Sequence, residues 1–438
     1  MNNTVLKKSV DEFLFKHNMH VKNIDIEKYV MYFLDEMQKG LVNEPSSLKM
    51  FPTFIKFERK VLINKPVIVL DAGGTNFRKA VVHFNSDFMP VINNYNQYKM
   101  PGLNYEVSKN EFFNYIASFI KDILNESDSI AFIFSYPSEI FPNKDGRLVR
   151  WCKEIKAKEV EGELIGENLK SAIKEFGINE EKKIVILNDT VATLLSGVSA
   201  FQNREFDSYI GFVLGTGMNS CYIEQNRNIR KDSVMTLNPD DYQIVNIEAG
   251  NFAKGPRGDV DYEFDSKTLD PGMYTFEKMM SGAYLGGLVI ETVKAALKEE
   301  LFTTDFLAKA GISNLDTQYI SDFFRYPPSK ENSLLEAMKF INEDEIIKFY
   351  YLLDGLVEKA AILSSIVLSS AIKKSEKGAN PCRPVCIIAE GSSFYNLKNF
   401  SFRVEYYMNK ILGDQNYYEI KKVDDATIVG ATVAGLCN

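Results

Sequence analysis

At 438 residues the chain is long for a single hydrophobic core, and two domains of ordinary size are the natural expectation. Its composition, 45% hydrophobic and 25% charged, is that of a soluble globular protein. The net charge of −8 argues against a nucleic-acid binder that works by neutralising phosphates, yet leaves room for a small local basic site for a nucleotide.

Residues 1–45 read as helical. Asn23, Ile24 and Asp25 offer a cap; Ile26, Val30, Phe33, Leu34 and Met37 follow at helical spacing, with Gly40 as a stop. Leu48 to Thr53 is an apolar-to-proline connection that cannot continue a helix. From Pro66 the pattern turns α/β. The apolar run Val67-Ile68-Val69-Leu70 delivers Asp71 into a double-glycine turn, Gly73-Gly74-Thr75-Asn76, followed by Phe77, Arg78 and a β-rich stretch to Phe84. Two antiparallel strands joined by that turn are expected. Ile130–Phe134 reads as a strand, 162–176 as a helix, and Lys183–Leu187 as a buried strand ending in Asn188-Asp189-Thr190. A helix over 191–201 is expected next. Tyr209–Leu214 is a further strand, running into Gly215-Thr216-Gly217-Met218-Asn219 before a strand pattern resumes at Ser220. Two strand–glycine-turn–strand units about 140 residues apart suggest a duplicated architecture with a nucleotide between its halves. Residues 273–300 and 341–377 are largely helical, and Ile387–Ala389 is a strand leading into Glu390-Gly391-Ser392-Ser393. The small residues of 425–435 allow close helix packing. Ala360–Ile372, 13 residues broken by four serines, is short of a bilayer span and reads as a buried helix.

No apolar leader precedes the first helix, so no secretory signal is expected. The five cysteines, Cys152, Cys221, Cys382, Cys386 and Cys437, are odd in number and fit no disulfide framework, which points to a reducing cytoplasm. The three histidines, His17, His20 and His83, lie in no stretch that looks like a site. Acid–base chemistry, if present, therefore falls to a carboxylate.

Each motif has a plain alternative. A double-glycine turn lets backbone N–H groups approach a phosphate, because no Cβ stands in the way; it is also a common tight hairpin. Asn188 and Asp189 end a buried strand, where ligand crevices form in α/β sheets, but Asp189 could equally cap the following helix. Alone, Glu248 and Glu277 are solvated carboxylates, Lys153 a surface lysine, and Ser135-Tyr136-Pro137 a loop.

Their co-occurrence in order resembles the hexokinase family. The resemblance is carried by 48–54, Leu70 to Arg78, Phe134 to Pro137, Arg150-Trp151-Cys152-Lys153, Asn188 to Leu194, Gly215 to Tyr222, Asn246 to Gly250, Pro271 to Gly286 and Glu390-Gly391-Ser392. It covers about residues 48 to 438. It implies a two-lobed α/β fold of the actin-like ATPase (ribonuclease H-like) type with a cleft between lobes. The small lobe would comprise 66–189 plus 425–438, and the large lobe 1–65 plus 190–424. The implied activity is ATP-dependent phosphorylation of the 6-hydroxyl of glucose or related hexoses, the first step of glycolysis, in a cytoplasmic monomer or homodimer. Asp71 would hold Mg2+ through water. Gly73, Gly74, Thr75, Asn76 and Arg78 would form one phosphate loop; Gly215, Thr216 and Gly217 a second; Gly391 and Ser392 would lie at the adenosine. Ser135, Cys152, Lys153, Asn188, Asp189, Asn219, Glu248 and Glu277 would surround the sugar. Asp189 would act as base, with Lys153 stabilising the migrating phosphoryl group. An amide- and carboxylate-lined pocket suits a ring of hydroxyls, each both donor and acceptor.

The chain departs from the family pattern in places. Cys152 stands where threonine is frequent, which implies a weaker sugar contact and a raised KM. Met273-Tyr274 replaces a pair of glutamines, Glu390 replaces an aspartate, and the 253–257 loop differs. Two rival readings are an actin-like ATPase of another kind, which would lack the sugar set, and a non-catalytic sugar-binding regulator of hexokinase ancestry, against which the retained Asp189 argues.

Overall fold

The computed structural model describes residues 2–56, 61–151, 155–178 and 180–437. Its strands, in chain order, are β1 (Phe51–Lys56), β2 (Val67–Ala72), β3 (Asn76–Phe84), β4 (Pro90–Lys99), β5 (Ser129–Phe134), β6 (Ser138–Ile140), β7 (Gly146–Leu148), β8 (Lys183–Leu187), β9 (Ser208–Leu214), β10 (Met218–Gln225), β11 (Tyr242–Asn246), β12 (Val385–Glu390) and β13 (Tyr418–Lys421).

Two sheets carry the architecture. One is ordered β4-β3-β2-β5-β8, the other β1-β11-β10-β9-β12-β13. In the first, β2, β3 and β4 run antiparallel, then β5 and β8 join parallel to β2. In the second, β9, β10 and β11 run antiparallel, then β12 and β13 join parallel to β9. The same three-plus-two plan thus occurs twice, with β1 added to the second sheet's edge. This is a two-lobed α/β fold, consistent with the actin-like ATPase type. The duplication read from two glycine turns extends to whole sheets.

The buried parallel strands are apolar runs, as both of their faces are covered. Every residue of β2 is buried. Strand β1 holds Pro52, which a ladder tolerates only at an edge, and β1 lies at the edge. The sequence pattern there announces a helix stop; the chain uses the same residues as an edge strand with Met50 and Phe54 at positive φ. Gly40, read as a helix stop, lies inside the helix Ile26–Leu41. Its role is close approach, since a Cβ there would sit 2.3 Å from the Leu48 carbonyl oxygen.

The helix Glu343–Ser375 is long and apolar enough to cross a bilayer by composition, but its apolar window is 89% buried against the protein. Two of its buried serines bond to their own helix, Ser364 donating to the Ala360 carbonyl at 3.0 Å and Ser365 to that of Ile362 at 2.7 Å, while the hydroxyls of Ser369 and Ser370 are buried without a hydrogen bond among the described residues. It forms the centre of the core behind the six-stranded sheet.

Between the sheets lie two helices, Asp189–Ala200 and Ala426–Cys437, whose apolar residues share one cluster with strands of both sheets. Their contact is backbone against backbone. A Cβ on Gly430 would fall 1.7 Å from the Ala192 carbonyl oxygen, so only glycine fits. Gly430→Ala is expected to cost about 2 kcal/mol or more by forcing these helices apart. A denaturation midpoint equal to that of the unmodified chain would refute this account of the helix pair.

Candidate active site

The C-terminal ends of the parallel strands and both glycine turns open on one cleft of about 550 Å³. It is lined by Asp71, Gly73, Arg78, Ser135, Asn188, Asp189, Thr216, Gly217, Asn219, Glu248 and Glu277, all singled out in the sequence. Gly74, Thr75 and Asn76 complete the first turn, and Gly215 begins the second. Cys152 and Lys153 lie outside the described residues.

The first turn follows from its sequence. Asp71 and Ala72 end β2, the Gly73 N–H donates to the Asn76 carbonyl at 3.0 Å, and β3 starts. The Tyr136 hydroxyl donates to the Gly73 carbonyl at 2.6 Å, tying the turn to the loop after β5. Arg78 Nη1 lies 2.8 Å from Asp71 Oδ2, pairing charges on adjacent strands. The second turn closes through Gly215 N–H to the Gly217 carbonyl at 3.0 Å. It is braced from outside by Gly282 N–H on the Gly215 carbonyl at 2.7 Å and Ala283 N–H on that of Thr216 at 3.0 Å. Gly391 packs behind this turn with φ +114°, where a Cβ would lie 2.1 Å from the Leu214 carbonyl oxygen. It ends β12 and starts the short helix bearing Ser392, which is exposed.

Asn188, rather than Asp189, caps the helix Asp189–Ala200: its side-chain oxygen accepts from the Thr190 N–H at 2.9 Å. Asp189 Oδ1 also accepts from that N–H, at 2.7 Å. The carboxylate therefore sits in the first turn, where the helix dipole favours negative charge.

A chain of amides joins the remaining residues. Asn219 Nδ2 donates to Asn246 Oδ1 at 2.8 Å, and Asn246 Nδ2 donates to Glu248 Oε1 at 2.8 Å. Asn219 Oδ1 accepts from the N–H groups of Ser220 at 2.7 Å and Ala249 at 3.1 Å. Glu277 Oε2 accepts from the Met218 N–H at 2.7 Å, which links it to the second turn. Glu248 adopts left-handed backbone, φ +58° and ψ +49°, an unfavourable conformation for glutamate that aims it at the cleft. Burial pushes its carboxyl up to about 7; the Asn246 hydrogen bond opposes the rise and the charge of Asp189 adds to it.

The cleft's other end is acidic. Burial raises the Glu390 carboxyl, the Thr193 hydroxyl bonded to it at 3.0 Å opposes this, and the charges of Asp189, Asp71 and Asp425 reinforce it. Among the described residues no group of three or more His, Cys, Asp or Glu could itself hold a metal ion. Magnesium is commonly bound by one or two carboxylates plus waters and substrate phosphates, and Asp71, lining the cleft at the start of the first glycine turn, fits that donor set.

Asn246, Tyr136 and Thr193 lie in the motifs that carry the resemblance, but the sequence reading gave them no role. Asn246 carried only a weak signal, since it follows two apolar residues of β11, Ile244 and Val245, where Asn188 follows the longer run of β8. Tyr136 and Thr193 carried none, because their partners are 63 and 197 residues away.

A family model described as hexokinase matches residues 209–437, and a second with the same description matches 11–199. The chain is 28% identical over 435 residues to Hexokinase-1 of Schizosaccharomyces pombe, covering 92% of this chain and 85% of that protein. It is 27% identical over 427 residues to Hexokinase-2 of Rattus norvegicus, covering 92% of this chain and 45% of that one, so it spans about half the rat protein's length. A solved hexokinase from Schistosoma mansoni, complexed with glucose, superposes with a TM-score of 0.82 at 25% identity, covering 99% of this chain and 100% of that one. A second solved hexokinase shares the fold with a TM-score of 0.76 at 20% identity, covering 99% of each chain.

Proposed function

The chain belongs to the hexokinase family, and from that premise we propose that it transfers the terminal phosphoryl group of Mg-ATP to the 6-hydroxyl of glucose and related hexoses. The observation that carries this reading is the convergence of Asp189 with both glycine turns and the Asn219–Asn246–Glu248 network on one cleft.

Phosphoryl transfer needs the acceptor aligned, the charge neutralised and water kept out. Ser135, Asn188, Asn219, Glu248 and Glu277 would fix the ring through its hydroxyls. Asp189 would accept the proton of the attacking hydroxyl. N–H groups of the turns at Gly73–Asn76 and Gly215–Gly217, with Arg78, would hold phosphate oxygens, and Gly391 and Ser392 would flank the adenosine. Asp71 would hold the water shell of Mg2+, which supplies charge neutralisation on the phosphates. Cys152 and Lys153 belong to the same assignment by resemblance.

The lobe division at 66–189 plus 425–438 and 1–65 plus 190–424 is part of this reading. The five-stranded sheet, drawn entirely from 67–187, supports it, as does the packing of Ala426–Cys437 on β2. The reading places the enzyme in the cytoplasm, at the head of glycolysis.

The test is ADP release from Mg-ATP with glucose, mannose, fructose, glucosamine or N-acetylglucosamine. Glucose is expected to stimulate turnover. Hexose binding without any sugar-stimulated turnover would instead support the non-catalytic regulator.

A further inference from the structure

The two glycine turns are braced in different ways. The second is held chiefly by main chain: the Gly215 and Thr216 carbonyls accept from the N–H groups of Gly282 and Ala283, and such bonds are indifferent to side chains. The first depends on one side chain. Strands β2 and β5 pair in parallel as far as Ala72 and Phe134, and the Ser135 N–H donates to the Ala72 carbonyl at 3.3 Å as the last rung of that ladder. One residue further on, where the chain leaves the sheet, the Tyr136 hydroxyl takes the place of a rung by donating to the Gly73 carbonyl at 2.6 Å.

That bond sits where the turn is softest. Gly73 and Gly74 let a phosphate approach, and the same lack of a Cβ leaves their shared peptide free to rotate. A trans peptide is planar, with the C=O of one residue and the N–H of the next pointing in opposite directions. Fixing the Gly73 carbonyl on Tyr136 therefore fixes the direction of the Gly74 N–H, one of the proposed phosphate donors. The phenol is itself held. Tyr136 is 2% exposed, and its ring meets Trp151 edge to face at 4.7 Å and Phe134 at 5.0 Å. Trp151 is anchored in turn by its indole N–H on the Ala157 carbonyl and its backbone N–H on Glu161 Oε1, both at 2.9 Å. A hydroxyl on so fixed a ring has little choice of position.

We infer that Tyr136 is a positioning residue for the nucleotide: its hydroxyl sets the first glycine turn in its phosphate-binding shape before the nucleotide arrives. The inference rests on the phosphate-loop reading of that turn given above. It separates Tyr136 from its neighbour Ser135, which is proposed to meet the hexose. Without the hydroxyl, the nucleotide must order the Gly73–Gly74 peptide itself, and its affinity drops by that cost. The ring alone still packs against Trp151, so hexose affinity keeps its value.

Tyr136→Phe keeps the ring and removes only the bond. Trp151, the chain's one tryptophan, reports glucose binding by its fluorescence. Calorimetry with a hydrolysis-resistant Mg-ATP analogue reports nucleotide binding, and Mg-tripolyphosphate and adenosine are measured as inhibitors competing with Mg-ATP. In Tyr136→Phe the analogue Kd and the KM for Mg-ATP are expected to rise about fivefold, the size of one hydrogen bond, with glucose affinity within about twofold of the unmodified chain. Tripolyphosphate is expected to weaken by the same factor and adenosine to keep its inhibition constant, because the turn meets phosphate alone. A merely structural tyrosine would lower the denaturation midpoint and leave the ratio of nucleotide to glucose affinity where it was. An analogue Kd within about twofold of the unmodified value would overturn the inference, as would an equal loss of glucose affinity or a loss carried by adenosine rather than tripolyphosphate. An unmodified chain that binds no nucleotide, or whose turnover no hexose stimulates, would instead overturn the functional reading from which the inference starts.

Discussion

Asp189→Asn is expected to lower kcat for hexose phosphorylation by roughly 10²- to 10⁴-fold, the usual contribution of a positioned acid or base. The substitution is nearly isosteric. Asparagine can still accept the Thr190 N–H that Asp189 accepts at 2.7 Å, so the helix start stays in place. What it loses is the ability to take a proton and the negative charge. Hexose KM is therefore expected to move far less than kcat, because the amide can still bond a hydroxyl. Asp189→Ala removes that bond as well and is expected to raise KM too. Steady-state kinetics with glucose decides the matter: a kcat within a few-fold of the unmodified enzyme in Asp189→Asn removes Asp189 from the proton-transfer role.

The polar pair after an apolar strand marked Asp189 as a candidate but left it equally open as a helix cap, and only the resemblance to hexokinases singled it out. The glycine turns were visible as strand–turn–strand units, but each alone reads equally as an ordinary tight hairpin, and their pairing in one chain gave them weight. What the sequence obscured is recorded at long range. Gly40 resembles a local stop, and only the Leu48 carbonyl shows that it serves packing instead. Pro52 reads as a break until the sheet order places it at an edge. The β11 strand is short and its polar ends mask it, so Asn246 was given no role although it joins Asn219 to Glu248. Asn188 and Asp189 illustrate a subtler limit. Sequence allows either to cap the helix, and the geometry divides the labour, with Asn188 as cap and Asp189 left facing the cleft.

Glu248 carries the second large expectation, and it is a pH effect. In the sugar-free cleft burial raises its carboxyl to about 7, with the Asp189 charge adding to the rise. In the unfolded chain a glutamate titrates near ~4.3. Between those values the native state holds a proton that the unfolded state has released, so stability falls as pH rises through the window and levels off above about 7. Cleft solvent reaches this residue, so the cost at pH 8 is a fraction of the full shift, on the order of 1–2 kcal/mol. Glu248→Gln removes the titration. It is expected to be more stable than the unmodified chain at pH 8 and equal to it near pH 4, measured by denaturant midpoints at both. The same variant is expected to weaken glucose binding by about 10- to 100-fold, because a hydroxyl bonded to a carboxylate is worth more than one bonded to an amide. The two effects are linked. A sugar hydroxyl donating to Glu248 favours its ionised form, so glucose binding at pH 6 should release protons to the buffer. Calorimetric titration in buffers of different ionisation enthalpy measures that release directly. Its absence in the unmodified protein, or its persistence in Glu248→Gln, would mean that the proton belongs to another group and that Glu248 does not meet the sugar as an anion.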